Sequence, residues 1–206
     1  GRAHYLGQLH FLDLEVGRIL NYLDLTGLRE ETVVIYIGDN GGSTPIYANN
    51  GPLRGSKYTL YEGGLRVPLI ISWPGKVQPG RLSGNVVSAM DLFPTICAAA
   101  EVPVPKNLDG QNILPLLTGE VPSLQHETLI WDTGHETAVR QGQWKLRTAK
   151  SNEHAKRQGV DLELGEFLCN LDSDSGEAKN LADAHPDILS RLKKTHAEWR
   201  ANLKDR

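Results

Sequence analysis

Long hydrophobic runs are missing from this sequence, and nothing in it reads as a membrane span. An excess of positive charge is missing too. Lys and Arg number 22 against 25 Asp and Glu, and the net charge of −3 excludes a global basic field that would recruit nucleic acid or an acidic polymer. A polyanionic substrate would have to be met locally. Cysteine is scarce: Cys97 and Cys169 lie in separate apolar contexts and read as buried thiols unless the fold brings them together. The opening Gly1-Arg2-Ala3-His4 carries no apolar leader, so the sequence itself states no export route. What is present is a globular composition, 39% apolar and 23% charged over 206 residues, enough for one ordinary core or two small ones.

The most informative stretch runs from residue 33 to residue 68. Val33 to Ile37 is apolar and β-branched without polar alternation, as expected of a strand buried on both faces of a parallel sheet. It stops at Gly38, and Asp39 and Asn40 follow, placing two oxygen-bearing side chains at the carboxyl end of a strand, where open α/β sheets hold their ligands. A carboxylate beside an amide carbonyl suits a hard cation, calcium first and magnesium second, and no Cys or His stands in the stretch to suggest zinc. Asp39-Asn40-Gly41-Gly42 is also a common turn signal, and on these four residues alone the turn is the simpler reading. Arg54, Lys57 and Arg66 then alternate with Gly51, Gly55, Gly63 and Gly64. Cations on a glycine-rich loop suit a tetrahedral oxyanion, because glycine lets backbone N–H groups approach its oxygens and Lys offers a compact charge. Taken singly, each cation reads as a solvated surface residue.

Around this stretch, Leu9, Leu12, Val16, Ile19 and Leu23 recur at helical spacing and predict a helix over 5–25 that ends at Thr26-Gly27 and packs on the sheet. His4 and His10 read as surface or filler residues. Val67 to Trp73 is a second strand candidate and Val86-Val87 a third, short one. Asp91 is expected to cap the helix that follows it, with Pro94 tolerated in the first turn. Residues 118–127 look like a boundary, giving two expected domains, 1–120 and 121–206. Beyond it, Leu129 to Trp131, Ala138 to Arg140, Trp144 to Leu146 and Phe167 to Leu171 predict a small antiparallel sheet. A last helix from Pro186 to Leu203, carrying Leu189, Leu192, His196 and Trp199 at helical spacing, is expected to cover one face of it. Residues 148–163 show no apolar face and read as a solvated loop.

The string from Thr32-Val33-Val34-Ile35-Tyr36-Ile37-Gly38-Asp39-Asn40-Gly41-Gly42 through Gly51-Pro52-Leu53-Arg54-Gly55-Ser56-Lys57 to Glu62-Gly63-Gly64-Leu65-Arg66-Val67-Pro68 resembles the C-terminal half of a type I sulfatase of the alkaline-phosphatase-like superfamily. The likeness continues through Ser88 to Thr95, Leu108 to Gln111, Ala138 to Leu146 and Asn180 to Ala182, and so covers essentially the whole chain. It implies an α/β fold, part of an alkaline-phosphatase-like sandwich with a largely parallel central sheet, followed by a small α+β subdomain with a short antiparallel sheet and a terminal helix. By resemblance, Asp39 and Asn40 fall on calcium ligands and Lys57 on a lysine that contacts the substrate sulfate, while Arg54 and Glu62 are motif residues with structural roles. Residues 148–163 would lie where such enzymes build the rim of the pocket.

The nucleophile implied by the resemblance is a formylglycine made from Cys or Ser in a Cys/Ser-x-Pro-x-Arg motif, and that motif is absent. Ser43-Thr44-Pro45-Ile46-Tyr47 lacks the arginine and stands in the wrong part of the family order. Also absent are the family's acidic pair and the Lys and His residues that precede this region. The expectation is therefore that the chain is the C-terminal part of a sulfatase, whether gene fragment, cleavage product or one chain of a processed enzyme. It would hold no catalytic nucleophile and would need the N-terminal half as its partner. The implied substrate is a sulfate-ester small molecule or a sulfated polysaccharide, with no nucleic acid or membrane partner. The implied location is periplasmic, extracellular or lysosomal. A phosphodiesterase or phosphonate hydrolase of the same superfamily, or a non-catalytic fragment, is the alternative.

Overall fold

A computed structural model of the chain describes residues 1–124 and 126–203; Gln125, inside the expected boundary at 118–127, and residues 204–206 lie outside the described residues. In chain order the elements are α1 (Arg2–Leu25), β1 (Val34–Ile37), α2 (Glu62–Leu65), β2 (Leu69–Ser72), α3 (Leu92–Ala99), α4 (Leu114–Thr118), β3 (Thr128–Asp132), β4 (Glu136–Gln141), β5 (Trp144–Ala149), α5 (Glu153–Arg157), β6 (Gly165–Asn170) and α6 (Pro186–Asn202). They group into two compact units. One comprises Gly7–Ile37 and Leu69–His126, the other Gly1–Leu6, Gly38–Pro68 and the chain from Glu127 onward.

In the first unit, α1 ends as expected, with Thr26 Oγ1 donating to the Tyr22 carbonyl and Gly27 at a φ of 73°. Contrary to expectation, α1 buries none of its residues. The strand pairing also differs from the parallel arrangement expected for Val33 to Ile37. β1 and β2 run antiparallel, Val34 opposite Ser72 and Ile37 opposite Leu69. The physical reason lies in the connection: the chain returns to the end of β1 it left, where Gly38 N–H donates to the Pro68 carbonyl at 3.2 Å, so β2 must run back along β1. Tyr36 and Ile70, directly opposed in this ladder, are both exposed, so β1 is not buried on both faces.

Val86-Val87 forms no strand. The neighbouring Asn85 side chain instead accepts from Ser123 Oγ and the Leu124 N–H, fixing the segment through side-chain bonds and not a ladder. Asp91 does not cap α3. Its carboxylate reaches back to the Ser88 N–H at 2.7 Å and across to the Gln111 N–H at 2.8 Å, with His126 Nε2 also 2.8 Å away, and it is fully buried.

The second unit holds the expected four-stranded antiparallel sheet, in the order β3-β4-β5-β6. Its register puts Val139, Leu146 and Leu168 in one cross-strand row, and with Ile130 they form the face that Ile188, Leu189 and Leu192 of α6 cover. Helix α6 is also tethered by ions, Lys193 to Glu166 at 2.5 Å and His196 to Asp132 at 3.3 Å. Burial pulls the Asp132 carboxyl upward, but the Gly134 N–H, His196 and Arg200 outweigh it and hold the group below its ordinary value.

Alternation then sends Glu136, Arg140, Lys145 and Arg147 to the opposite face. A charged face of this kind normally meets water; here Glu136, Lys145 and Arg147 are buried, beneath the segment 54–64. Lys145 Nζ lies 2.8 Å from Glu62 Oε1 and 3.0 Å from Glu177 Oε1, and Arg147 Nη1 is 3.0 Å from Glu136 Oε1. The guanidinium groups of Arg54 and Arg147 stand 4.3 and 4.2 Å from the centre of the Tyr61 ring. Burial outweighs both of those cations and raises the Tyr61 hydroxyl to about 12. Residues 148–163, read as a solvated loop, contribute buried Ala155, Val160 and Leu162 to a core with Tyr61 and Ala149. Separated by five and two residues, these three sustain neither a helix nor a strand period, so no periodicity marks them.

Lys145→Met is expected to destabilise the protein by about 3–5 kcal/mol, because Glu62 and Glu177 would then be buried together without the ammonium they share, with only Arg140, 3.8 Å from Glu62, left beside them. Adding Glu62→Gln and Glu177→Gln should recover most of the loss in urea unfolding. A single variant that unfolds like the wild type would show that the cluster is solvated.

Candidate functional site

The loop after β1 and the segment 54–64 meet backbone to backbone, within the second unit. Gly41 N–H donates to the Gly64 carbonyl at 2.9 Å, and Gly63 N–H to the Arg54 carbonyl at 2.7 Å. A Cβ on Gly41 would overlap the carbonyl oxygen of Gly63, and one on Gly63 would overlap that of Arg54, so glycine is required by close approach. The hub is the Gly42 carbonyl, which accepts from Asn50 Nδ2 at 2.8 Å, Ser56 Oγ at 3.2 Å and the Lys57 N–H at 3.2 Å. The structure therefore ties Lys57 by its backbone to a residue two positions from Asn40. Nothing in the sequence gives Asn50 or Ser56 a site role or separates them from ordinary loop polar residues.

Asp39 is exposed and Asn40 half-buried. Asp39 Oδ1 accepts the Asn40 N–H at 2.9 Å, and Asn40 Nδ2 donates to the Gly41 carbonyl at 2.9 Å. The second bond consumes the amide donor and leaves the Asn40 carbonyl oxygen available, as the bond to Asp39 leaves its second carboxylate oxygen. Two adjacent hard oxygens fit part of a calcium shell, which takes six to eight. Among the described residues, no group of three His, Cys, Asp or Glu gathers to complete one.

Lys57 is half-buried, with Nζ 5.6 Å from the Tyr58 ring centre, and joins no ion pair among the described residues. Arg54 and Glu62 behave differently. Arg54 donates to the Glu177 carbonyl and pairs with Glu163 at 2.9 Å, and Glu62 is buried on Lys145. Both are committed to the scaffold. Cys97 and Cys169 are free and buried, and burial pushes the Cys169 thiol up to about 12.

The sulfatase family model matches residues 1–102, and the model for the C-terminal region of N-sulphoglucosamine sulphohydrolase matches residues 56–202. The chain belongs to the sulfatase family. Human arylsulfatase A is 34% identical across 94% of the chain and 42% of its own length. The N-acetylgalactosamine-6-O-sulfatase of Bacteroides thetaiotaomicron is 30% identical across 88% of the chain and 39% of its own length. Among solved structures, Ps i-CgsB in complex with k-i-k-neocarrahexaose superposes with a TM-score of 0.76 at 28% identity, covering 95% of the chain and 42% of that protein. A protein from glycosaminoglycan metabolism in Bacteroides thetaiotaomicron gives 0.77 at 28% identity, covering 95% and 43%. The chain thus spans about two fifths of the length of these relatives. Its mixed α/β fold, with the antiparallel sheet and terminal helix, is that of sulfatases of the alkaline-phosphatase-like class.

Gly41→Ala is expected to destabilise the sulfatase chain by about 1–3 kcal/mol or more, since neither backbone can yield without breaking the Gly41 to Gly64 bond. Gly17→Ala, in open space on α1, should be neutral or stabilising by about 0.5–1 kcal/mol. Equal unfolding midpoints for the two variants would show that the loops part freely.

Proposed function

We propose that this chain is the C-terminal portion of a sulfuric ester hydrolase, in which Asp39 and Asn40 supply two calcium ligands and Lys57 binds the sulfate. The observation that carries the proposal is the loop geometry: the Lys57 backbone is bonded to Gly42, two positions after Asn40, in a loop where Asp39 and Asn40 each keep an oxygen available and Lys57 joins no ion pair among the described residues, in a chain of the sulfatase family. Bound there, calcium supplies Lewis acidity towards sulfate oxygens. Asp39 and Asn40 orient the cation through hard oxygens, and Lys57 sets a compact charge where negative charge shifts onto the ester oxygens. Magnesium is the other hard cation the pair would accept.

The nucleophile, a formylglycine in this reading, belongs to the N-terminal half of the same enzyme. Residues 1–120 are proposed as the end of the catalytic domain and 121–206 as its C-terminal subdomain; the four-stranded antiparallel sheet that begins at Thr128 supports the division, while the grouping of residues 38–68 with that sheet runs across it. The relatives that carry sugar names in their descriptions support a saccharide sulfate as substrate. The corresponding location is periplasmic, extracellular or lysosomal.

The 206 residues alone are expected to show no turnover of a chromogenic aryl sulfate with added calcium, because an activated nucleophile is missing and two ligands leave most calcium positions to water. Turnover above background that Lys57→Ala removes would overturn this. In the intact enzyme, Asp39→Ala should abolish metal-dependent activity with modest loss of stability, and unchanged calcium affinity would refute the ligand assignment. Lys57→Ala should lower kcat by about a hundredfold or more while moving the unfolding midpoint little. Near-normal kinetics would return Lys57 to the ordinary surface. Phosphate-ester turnover exceeding sulfate turnover would favour the phosphodiesterase alternative.

A further inference from the structure

Two imidazoles from separate stretches of the chain meet in the second unit. His135 lies in the turn between β3 and β4 and His154 on α5, with ring centres 5.2 Å apart and planes inclined by 42°. Both are carried on fixed backbone. The Lys150 N–H pins the His135 carbonyl at 2.9 Å, at the end of the β4–β5 ladder. Ala155, next to His154, is buried in the core with Tyr61, Ala149, Val160 and Leu162, and the His154 ring makes an edge contact with Tyr58, 5.8 Å between centres.

The ring nitrogens of this pair are uncommitted. His126 and His196 each face an aspartate, at 2.8 and 3.3 Å, whereas among the described residues neither His135 nor His154 has a side-chain hydrogen bond or an ion pair. His154 is exposed and His135 half-buried, so solvent reaches both. We infer that His135 and His154 form a chelating site for a borderline divalent metal ion of the zinc type, which clips α5 to the β3–β4 turn. The spacing carries this. Two imidazoles on a tetrahedral zinc, at about 2.0–2.1 Å per Zn–N bond, hold their ring centres about 5 Å apart. The 5.2 Å found here needs no movement of the backbone. Rotation about the outer side-chain torsion, which is broad in histidine, turns one nitrogen of each ring towards the shared ion. Imidazole suits zinc, copper and nickel, whereas calcium and magnesium take oxygen, so the ligand set is softer than that of Asp39 and Asn40. Among the described residues no third His, Cys, Asp or Glu joins the pair, so water completes the shell. Neither ring is oriented by a hydrogen bond from a further side chain, and a site of this kind exchanges its metal readily.

The test titrates the intact enzyme, kept saturated with calcium, with zinc chloride in a calorimeter. The wild type should bind zinc, and His154→Ala, at an exposed position where folding is not at stake, should weaken that binding about tenfold or more, since even an outer partner of a ligating histidine is worth that much. His135→Ala should do the same, and its unfolding midpoint without zinc reports separately on the fold. Because the ion binds the folded state, zinc should raise the unfolding midpoint of the wild type and leave both variants unmoved. No zinc binding by the wild type, binding undiminished in either variant, or zinc that excess calcium displaces would overturn the site. Neither readout involves turnover, so failure of the clip would leave the roles proposed for Asp39, Asn40 and Lys57 untouched.

Discussion

Lys145 is the constraint on which the loop bearing the candidate site depends. Its ammonium is buried between Glu62, on the segment that carries Lys57, and Glu177, in the turn after β6. Glu177 holds a φ of 51° there and also accepts the Glu62 N–H at 2.6 Å. Burial raises its carboxyl above the ordinary range despite Lys145 and that N–H, so the cluster is costly to ionise. Such clusters add little net stability compared with apolar packing, yet losing one partner is severe. The stability of the sheet comes instead from the other face. Val139, Leu146, Leu168 and Leu192, at about 1.5–3 kcal/mol each for full burial, outweigh anything the ions contribute. The ions thus fix position, and the α6 face fixes the fold.

Position is what the candidate site needs. The 54–64 segment is held to the sheet by Leu60 N–H on Glu136, by Glu62 on Lys145 and by Tyr61 between two guanidinium groups. The same segment holds the loop after β1 through Gly63, Gly64 and the Gly42 hub. Asp39, which is exposed, and Asn40 and Lys57, which are half-buried, are therefore carried on a backbone that is locked twice over. Preorganisation of this kind matters more for binding a tetrahedral anion than the number of cations, since a positioned charge needs no rearrangement as negative charge develops.

Local pattern made much of this legible. The strands 128–132, 136–141, 144–149 and 165–170 and the helix from Pro186 follow from short β-branched or aromatic runs and helical spacing, and the structure has them where they were expected within a few residues. What could not be read was whatever depends on partners far along the chain. The direction of β2 is set by where residues 38–68 return, which the apolar run of β1 does not encode. Trp144-Lys145-Leu146-Arg147 alternates as a strand with one wet face would, and only Glu62, Glu136 and Glu177, all remote in sequence, turn that face into a buried ionic layer. The carboxylate of Asp91, likewise, prefers Gln111 and His126 to its own helix.

Helix α1 supplies the energetic side of the proposed incompleteness. Leu9, Leu12, Val16, Ile19 and Leu23 lie along one side, and Phe11, Leu14, Tyr22 and Leu25 fall on the other, at the angles that 3.6 residues per turn dictate. Apolar stripes on opposite sides belong to a helix between two layers, and α1 buries none of its own residues. Eight of its large apolar side chains are exposed, Leu6, Leu9, Phe11, Leu12, Leu14, Ile19, Tyr22 and Leu25. Because they are between 46% and 79% exposed, covering what remains, at about 1.5–3 kcal/mol for a full burial, would contribute on the order of 7–14 kcal/mol as an upper bound. That is comparable with the whole net stability of an ordinary domain, about 5–15 kcal/mol. A polypeptide that covers α1 would thus add substantially to the stability of the first unit, which favours a reading in which that unit is completed only within a larger sulfatase.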